Sequence, residues 1–361
     1  MKHNVTLLLL LSLATTVFGA EPKSPTVLIE KVGKIYSDGK WNGRLTVVNF
    51  KGKYYIFFRS AVAHDQDGAI RMIHSAGNRP RFWSSSPYAP KNYQATIKAG
   101  KSVDPIGPGP SAKVVIDSKH DESEMHVLVT PKRMFGYVVV IEQPTERVIG
   151  TQVIYTDDGK TWSKPKYIYK PGWSLWKPRT YKGVHYVVAD VMTKPRSIVL
   201  LSSRDGINWK KVSTIRNGPL TETDLVFLEN GDLIAVARQA HTFKAKPPYQ
   251  KWTEIGSPHL GGPAVARVGK TVLVSGRIAA GNFPDEQIGE RRNGLFICDP
   301  KTLKFKWVMN MPTQWGGDVG YPHILPIAND RALLTWYDGQ HYQKGVPKQA
   351  DIFLAVLRLV K

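Results

Sequence analysis

The stretch YTDDGKTW occupies residues 155–162, and a second stretch, SSRDGINW, occupies residues 202–209. Each follows a short apolar segment and ends in a tryptophan, Trp162 or Trp209. In such a stretch a carboxylate accepts the amide hydrogens of a tight turn, and the glycine supplies backbone angles that other residues avoid. The tryptophan packs between strands. The repeat therefore predicts tight turns in a recurring unit of β-sheet.

Short strand-like segments account for most of the remaining chain. Residues 54–58 (YYIFF) and 233–237 (LIAVA) are typical, being β-branched, aromatic or aliphatic and bounded by Gly, Pro, Asn or Asp. Hairpin signals recur, and the clearest is Asn230-Gly231 between two apolar runs. Such units recur at intervals of roughly 40 to 80 residues, a pattern typical of a β-propeller. We predict an all-β fold in one domain over residues 21–361, with a sandwich plus an extension as the alternative.

The first residues have the pattern of an export signal. A basic start at Lys2 and His3 precedes an apolar run, Leu7–Leu13, and small residues suited to cleavage at positions 17–20. We therefore expect residues 1–20 to be removed and the mature protein to be secreted or periplasmic. The apolar run is too short to span a bilayer and no later run is long enough, so we expect no membrane span.

The composition limits the possible partners. The chain carries a formal charge of +21 and 42% hydrophobic residues. Its basic residues are scattered rather than clustered in a run or a helix and match no nucleic-acid-binding motif, so we expect no nucleic-acid partner. A basic surface suits either simple solubility or an acidic glycan. The single cysteine, Cys298, allows no intrachain disulfide. No metal-binding or phosphate-binding motif is present, so we expect no metal or cofactor, and we expect a monomer.

The two octapeptides resemble the Asp-box, Ser-x-Asp-x-Gly-x-Thr-Trp, of sialidase-like proteins. In this alignment Asp157 is the turn carboxylate, and Tyr155 replaces the serine. In the second copy Arg204 stands at the aspartate position, with Asp205 beside it. The Asp-box is a structural turn, so neither Asp157 nor Asp205 is expected in a functional site.

The resemblance to sialidase-like proteins extends over most of the mature chain. The segments that carry it are residues 41–44, 57–68, 221–226 and 320–321. The resemblance implies a six-bladed β-propeller of the sialidase type with its site at the central axis.

Tyr321 and Glu222 are the leading catalytic candidates. A carboxylate nucleophile would be repelled by an acidic sugar, whereas a neutral phenol is not, and sialidases use a tyrosine nucleophile. A neighbouring glutamate would accept the phenolic proton as the tyrosine attacks. The resemblance implies these roles for Tyr321 and Glu222.

Several arginines are candidates for holding a substrate carboxylate. Sialidases use three, and the planar guanidinium binds a carboxylate through two hydrogen bonds. The resemblance assigns Arg44, Arg238 and Arg292 to this clamp. Arg44 departs from the family pattern because Leu45 and Thr46 follow it where Ile-Pro is usual. Arg277 closes another strand and is a further candidate for the same cavity.

The segment after Arg59 contains the candidate acids. Arg59 resembles the arginine that precedes the acid/base aspartate of the family, and it is a further candidate for substrate binding. Asp65 and Asp67 are both candidates for protonating the leaving group. His64 is a third, because an imidazole transfers protons in either direction near neutral pH.

Three functions remain open at this level. The first is an exported, sialidase-like glycoside hydrolase that removes a terminal acidic sugar with retention. The second is another carbohydrate-active enzyme on the same scaffold, either a polysaccharide lyase or an exo-glycosidase acting on uronate-containing polysaccharide. The third is a non-catalytic propeller that binds acidic glycans. A fold alone does not distinguish between them.

Overall fold

The computed structural model describes residues 26–75, 111–143, 145–278 and 291–360. Over these ranges the chain consists of β-strands and their connections, without a helix. Consequently the described part of the chain contains no helix long and apolar enough to cross a membrane. The prediction of an all-β fold is confirmed. The predicted signal peptide, residues 1–20, lies outside the described residues.

The strands are arranged mainly as antiparallel groups of four that follow one another along the chain. The first three groups are β2 (Trp41–Phe50), β3 (Lys53–Ala61), β4 (Gly68–His74) and β5 (Lys113–Ile116); β6 (Asp121–Val129), β7 (Met134–Glu142), β8 (Arg147–Thr156) and β9 (Lys166–Ile168); and β10 (Trp173–Tyr181), β11 (Val184–Val191), β12 (Ser197–Ser203) and β13 (Lys210–Asn217).

A continuous sheet follows, in which one long strand serves two groups. Its strands are β14 (Asp224–Phe227), β15 (Leu233–Ala237), β16 (Gln239–Ala245), β17 (Trp252–Val268), β18 (Thr271–Ile278), β19 (Arg292–Cys298) and β20 (Phe305–Asn310). The first part of β17 pairs with β16 and the last part with β18. The chain thus passes from one group into the next without leaving the sheet.

The last group joins the two ends of the described chain. It comprises β21 (Asp318–Ala328), β22 (Arg331–Gly339) and β23 (Ala350–Val360), and β1 (Thr26–Tyr36) pairs antiparallel with β23. The strand nearest the start of the chain therefore completes the sheet formed by its end.

The first strands of successive groups contact one another in a closed ring, and we call them the inner strands: β2, β6, β10, β14, the last part of β17, and β21. Hydrophobic clusters fill the spaces between neighbouring groups. For example, Val48 and Phe57 of the first group pack with Met125 and Val138 of the second. Because successive side chains of a strand point to opposite faces, each sheet has an apolar neighbour on both sides. The ring leaves polar side chains to converge at its axis.

The turn of the first octapeptide differs by one residue from the alignment with the Asp-box. The Oδ1 atom of Asp158 accepts the amide hydrogens of Lys160 at 2.7 Å and Thr161 at 2.8 Å. These hydrogen bonds lower the pKa of Asp158. Asp157 instead pairs with Arg133 Nε at 2.7 Å on the surface. The expectation that Asp157 is the turn carboxylate is therefore wrong.

The second octapeptide has the same turn. Asp205 Oδ1 accepts the amide hydrogens of Ile207 at 2.8 Å and Asn208 at 2.7 Å. In both turns the carboxylate directly precedes a glycine of positive φ, 72° at Gly159 and 75° at Gly206. The tight turn requires the carboxylate directly before the glycine, so the sequence pattern that forms this turn is Ser/Thr-x-Asp-Gly.

Candidate functional site

Several inner strands bulge at a similar level along the axis. The antiparallel register is interrupted at this level in β2, β10, β17 and β21. A residue in the left-handed region lies at each interruption: Arg44 (φ 54°), Lys177 (φ 23°), Gly262 (φ 53°) and Tyr321 (φ 47°); Glu222, just before β14, has a φ of 50°. Such angles are uncommon for residues other than glycine, and bulges redirect side chains. Here they collect charged and aromatic groups at one level of the ring.

Glu222 is held by donors from three different parts of the chain. Tyr321 Oη donates to Glu222 Oε1 at 2.5 Å, and Arg238 Nη1 donates to the same oxygen at 2.5 Å. The amide of Gly262 donates to the other oxygen, Oε2, at 2.9 Å. Hydrogen bonds to an ionised acceptor are among the shortest and strongest in proteins. The carboxylate is thus fixed against the phenol.

The electrostatic surroundings keep the Tyr321 phenol neutral at rest. Burial raises the pKa of Tyr321, and the charge of Glu222 raises it further. Arg44 and Arg238 act in the opposite direction, and the Arg44 guanidinium lies 5.8 Å from the centre of the Tyr321 ring. The phenol therefore loses its proton only when an acceptor such as Glu222 takes it, and the two arginines stabilise the resulting phenolate.

Arg277 approaches the same place across two glycines. A Cβ atom at Gly261 would lie 3.1 Å from Arg277 Nε, and one at Gly320 would lie 3.7 Å from Arg277 Nη1. Arg277 Nη1 donates to the carbonyl of Val319 at 3.4 Å. The small residues thus let this arginine of β18 reach the inner strand that carries Tyr321.

Arg292 begins β19, in register with Ile278 of β18. Within the described residues, the hydrogen-bond partners of Glu222 include Tyr321 and Arg238, and Arg292 is not among them. Arg44, Arg238 and Arg277 lie around Tyr321 and Glu222, and the clamp role of Arg292 stays a prediction.

Arg59 is buried and engaged with a carboxylate of the protein. Its Nε and Nη2 atoms donate to the two oxygens of Asp121 at 2.9 Å and 3.1 Å, and Nη2 also donates to the carbonyl of Gln66. The amide of Gly68 donates to Asp121 at 3.0 Å. These contacts hold the segment from residue 64 to residue 68 in place.

Neither candidate aspartate of that segment contacts Tyr321 or Glu222 in the described structure. Asp65 accepts a hydrogen bond from the amide of Gly345 at 2.9 Å, and Asp67 is exposed. Asp65 is thus engaged in connecting two loops.

His64 lies closer to the centre and is oriented by a buried carboxylate. Its Nδ1 atom is 2.7 Å from Asp318 Oδ2, and its Nε2 atom is 3.4 Å from Arg44 Nη2. Asp318 also accepts hydrogen bonds from Trp41 at 2.8 Å and Tyr337 at 2.9 Å. Burial alone would raise the pKa of Asp318, but its donors, His64 foremost, lower it to about 2. The ionised carboxylate directs the other imidazole nitrogen towards the arginine side of the site.

Sequence reasoning missed Asp318 and Lys177 of this centre. Asp318 lies in the same stretch as Tyr321, but its partner His64 is 254 positions away, and no local signal pairs them. Trp176 stacks on Tyr321 with ring centres 6.2 Å apart. Lys177, in an apolar strand between Trp176 and Pro178, gave no signal either.

Two further features complete the description of the axis. Among the described residues, no group of His, Cys, Asp and Glu side chains is placed to hold a metal ion. A cavity of about 660 Å³ opens at the other end of the inner strands, where Val47, Arg179, Leu225 and His323 contribute to its lining.

Comparison with solved structures places this architecture among known folds. A protein of unknown function from Dyadobacter fermentans has a TM-score of 0.69 and 16% identity, covering 93% of this chain and 100% of that one. The phage phi92 endosialidase has a TM-score of 0.64 and 10% identity, covering 92% and 69%. A Trypanosoma rangeli sialidase has a TM-score of 0.59 and 11% identity, covering 88% and 54%.

No family model matches the chain, and no curated protein matches it. The structural similarity defines the molecule as a β-propeller of the sialidase-like type. At these identities the similarity establishes the fold alone.

Proposed function

We propose that this protein is a sialidase-like glycoside hydrolase that removes a terminal acidic sugar with retention. The observation that carries the proposal is the hydrogen bond of 2.5 Å between Tyr321 and Glu222, with Arg44 and Arg238 beside it. A nucleophile, its base and cations for a carboxylate thus lie together at one level of the axis.

The chemistry follows from that arrangement. Tyr321 Oη attacks the anomeric carbon, its proton passes to Glu222, and the bond to the leaving oxygen breaks as that oxygen is protonated. Water then attacks the anomeric carbon of the glycosyl-tyrosine and gives its proton back to the group that protonated the leaving oxygen, while the phenol regains its proton from Glu222. Two successive inversions give net retention.

His64 is the described group best placed to protonate the leaving oxygen. Asp318 orients it through Nδ1, and its Nε2 atom lies 3.4 Å from Arg44 Nη2. Asp65 binds the backbone at Gly345, and Asp67 points to solvent. Asp121 engages Arg59, so we assign Arg59 to positioning this segment rather than to binding substrate.

The remaining expectations form part of the same proposal. Groups of four strands, a long strand that serves two groups and a closed ring of inner strands support a propeller of six blades in one domain over residues 21–361. Export after removal of residues 1–20, an acidic glycan as substrate and a monomeric state complete it.

Product mass tests this function. The mature protein is incubated with a panel of sialosides and uronate-containing glycans, and we expect release of an acid sugar carrying one added water. Tyr321→Phe should reduce turnover at least a hundredfold, because no oxygen remains to attack. Tyr167→Phe is the matched control, because Tyr167 is 47% exposed on β9. Full turnover by Tyr321→Phe would refute the assignment.

The His64–Asp318 pair supports a second candidate, a polysaccharide lyase. In that reaction an arginine neutralises a uronate carboxylate, and His64 takes the proton from the adjacent carbon. A carbon–carbon double bond forms as the bond to the leaving oxygen breaks at the next carbon, and that oxygen takes a proton from water. The product is an unsaturated uronate without added water. Its absorbance in the ultraviolet, together with its mass, distinguishes elimination from hydrolysis. Binding of a glycan without any product would support a glycan-binding propeller.

A further inference from the structure

Lys177 lies directly beneath the candidate site and is buried. Only 2% of its side chain is exposed. Its Nζ atom donates to the carbonyl of Pro263 at 2.7 Å and to the carbonyl of Pro322 at 3.1 Å. A lysine buried to this extent is rare unless its charge is compensated. The ammonium group therefore needs an explanation beyond packing.

The two carbonyls belong to the bulges that form the site. Pro263 follows Gly262, whose amide holds Glu222 Oε2 at 2.9 Å, and Pro322 follows Tyr321. One ammonium group thus connects the bulge of β17 to that of β21, from its own bulge in β10. A change at Lys177 would move the base and the nucleophile relative to each other.

Resting on the proposed function, we propose that Lys177 is a positioning residue, which clamps the bulges of Gly262 and Tyr321 and so fixes Glu222 against Tyr321. The Lys177 side chain is buried behind these bulges, so it would act on the substrate only through the positions of Glu222 and Tyr321. This role depends on its charge as well as on its hydrogen bonds, because both carbonyls accept more strongly from an ionised donor.

The charged and titratable groups around Lys177 come from several strands. They are Asp224 on β14, 4.0 Å away, Arg179 on β10, Glu124 on β6, Glu222 before β14 and His323 on β21. Burial lowers the pKa of Lys177 to about 8; Asp224 raises it, and Arg179 lowers it. The positive charge is present below about pH 8 and is lost as the pH rises through that value.

The test compares Lys177→Met with Lys170→Met, whose parent lysine is exposed just before β10. Hydrolysis is measured from pH 5 to 10. We expect the wild type and Lys170→Met to lose activity as the pH passes about 8. Lys177→Met should lose about a hundredfold in kcat with little change in KM, since a displaced nucleophile costs about that much. Its pH profile should lack the limb near pH 8.

A second readout does not require activity. The proton between Tyr321 and Glu222 should give a strongly deshielded resonance that Tyr321→Phe removes. We expect this resonance in Lys170→Met and not in Lys177→Met. If the wild type hydrolyses nothing, the proposed function fails, while this resonance still tests the clamp.

The clamp is wrong if Lys177→Met keeps the resonance and the wild-type pH profile. Should Lys177→Met not fold, Lys177→Gln takes its place, since it keeps an N–H donor but carries no charge. Loss of the alkaline limb in Lys177→Gln supports the proposal, and an unchanged limb overturns it.

Discussion

Asp318 combines deep burial with a full set of donors. His64, Trp41 and Tyr337 all donate to its carboxylate, and these hydrogen bonds bring its pKa to about 2, although burial opposes them. The pKa in the folded protein lies below the ordinary aspartate value of 3.8. The ionised carboxylate therefore contributes stability that is complete above about pH 4 and is lost as the pH falls towards 2.

This linkage gives a prediction for Asp318→Asn. Near pH 6 the variant should unfold more easily than the wild type by about 2 kcal/mol, the equivalent of its pKa difference. The gap between the two proteins should close between pH 4 and 2. Urea unfolding at pH 6 and at pH 2.5 measures it. Equal stability of both proteins at pH 6 would show that the donors do not favour the ionised form.

Residue chemistry explains which parts of the site the sequence revealed. Tyr321, Glu222 and Arg238 were singled out by type and order, and Tyr321 and Arg238 both donate to Glu222. Their catalytic roles stay a proposal. The pairing of His64 with Asp318 joins residues 254 positions apart, and only the closed ring brings them together.

The recurring bulge is the element that builds the centre. Gly262 has a φ of 53°, and a Cβ atom there would lie 3.1 Å from Cγ of Tyr321. Gly183 has a φ of 76° in the turn between β10 and β11, and a Cβ atom there would meet nothing within 4 Å. Both glycines thus have a positive φ, but only at Gly262 would an added side chain contact Tyr321.

We predict that Gly262→Ala and Gly183→Ala each lose about 1 kcal/mol of stability, the usual cost of a side chain at positive φ. Only Gly262→Ala should also displace Tyr321, lowering the rate of the proposed reaction about tenfold or more. Thermal unfolding and initial rates measure the two effects. Equal rates in the two variants would contradict the dependence of Tyr321 on this bulge.

Strands were predictable at this scale, whereas bulges were not. Alternating apolar residues and Asn-Gly turns mark where strands begin and end. A bulge depends on how two strands pair, and nothing local to Arg44 or Tyr321 indicates a left-handed backbone. The same limit explains why the Asp-box alignment assigned the turn to Asp157. Only the hydrogen bonds in the folded chain show that Asp158 is the turn carboxylate.

β1 completes the sheet of the last group by pairing with β23. Val32 of β1 is 3% exposed and packs in the cluster between the last two groups, whereas Leu28 of the same strand is 42% exposed. Val32→Ala should therefore lower the free energy of unfolding by about 2 kcal/mol, and Leu28→Ala by less than about 0.5 kcal/mol. Chemical unfolding measures both. Equal losses would show that Val32 does not anchor β1 to this cluster.

The whole molecule was predictable in outline. The repeated turns and strand units indicated a sialidase-like propeller, and the similarity to solved sialidase-type structures confirms that fold. The number of blades, the export and the substrate stay predictions. The place of β1 in the last sheet was missed, because the pairing of Thr26–Tyr36 with β23 joins residues from nearly opposite ends of the sequence.

Covalent trapping tests the central claim most directly. The mature protein is incubated with 2,3-difluorosialic acid, and its intact mass and tryptic peptides are measured. The account predicts one added glycosyl group on Tyr321, absent in Tyr321→Phe and present in Tyr167→Phe. A protein that hydrolyses sialosides yet carries the group on another residue, or no group at all, would contradict the assignment of Tyr321 as the nucleophile.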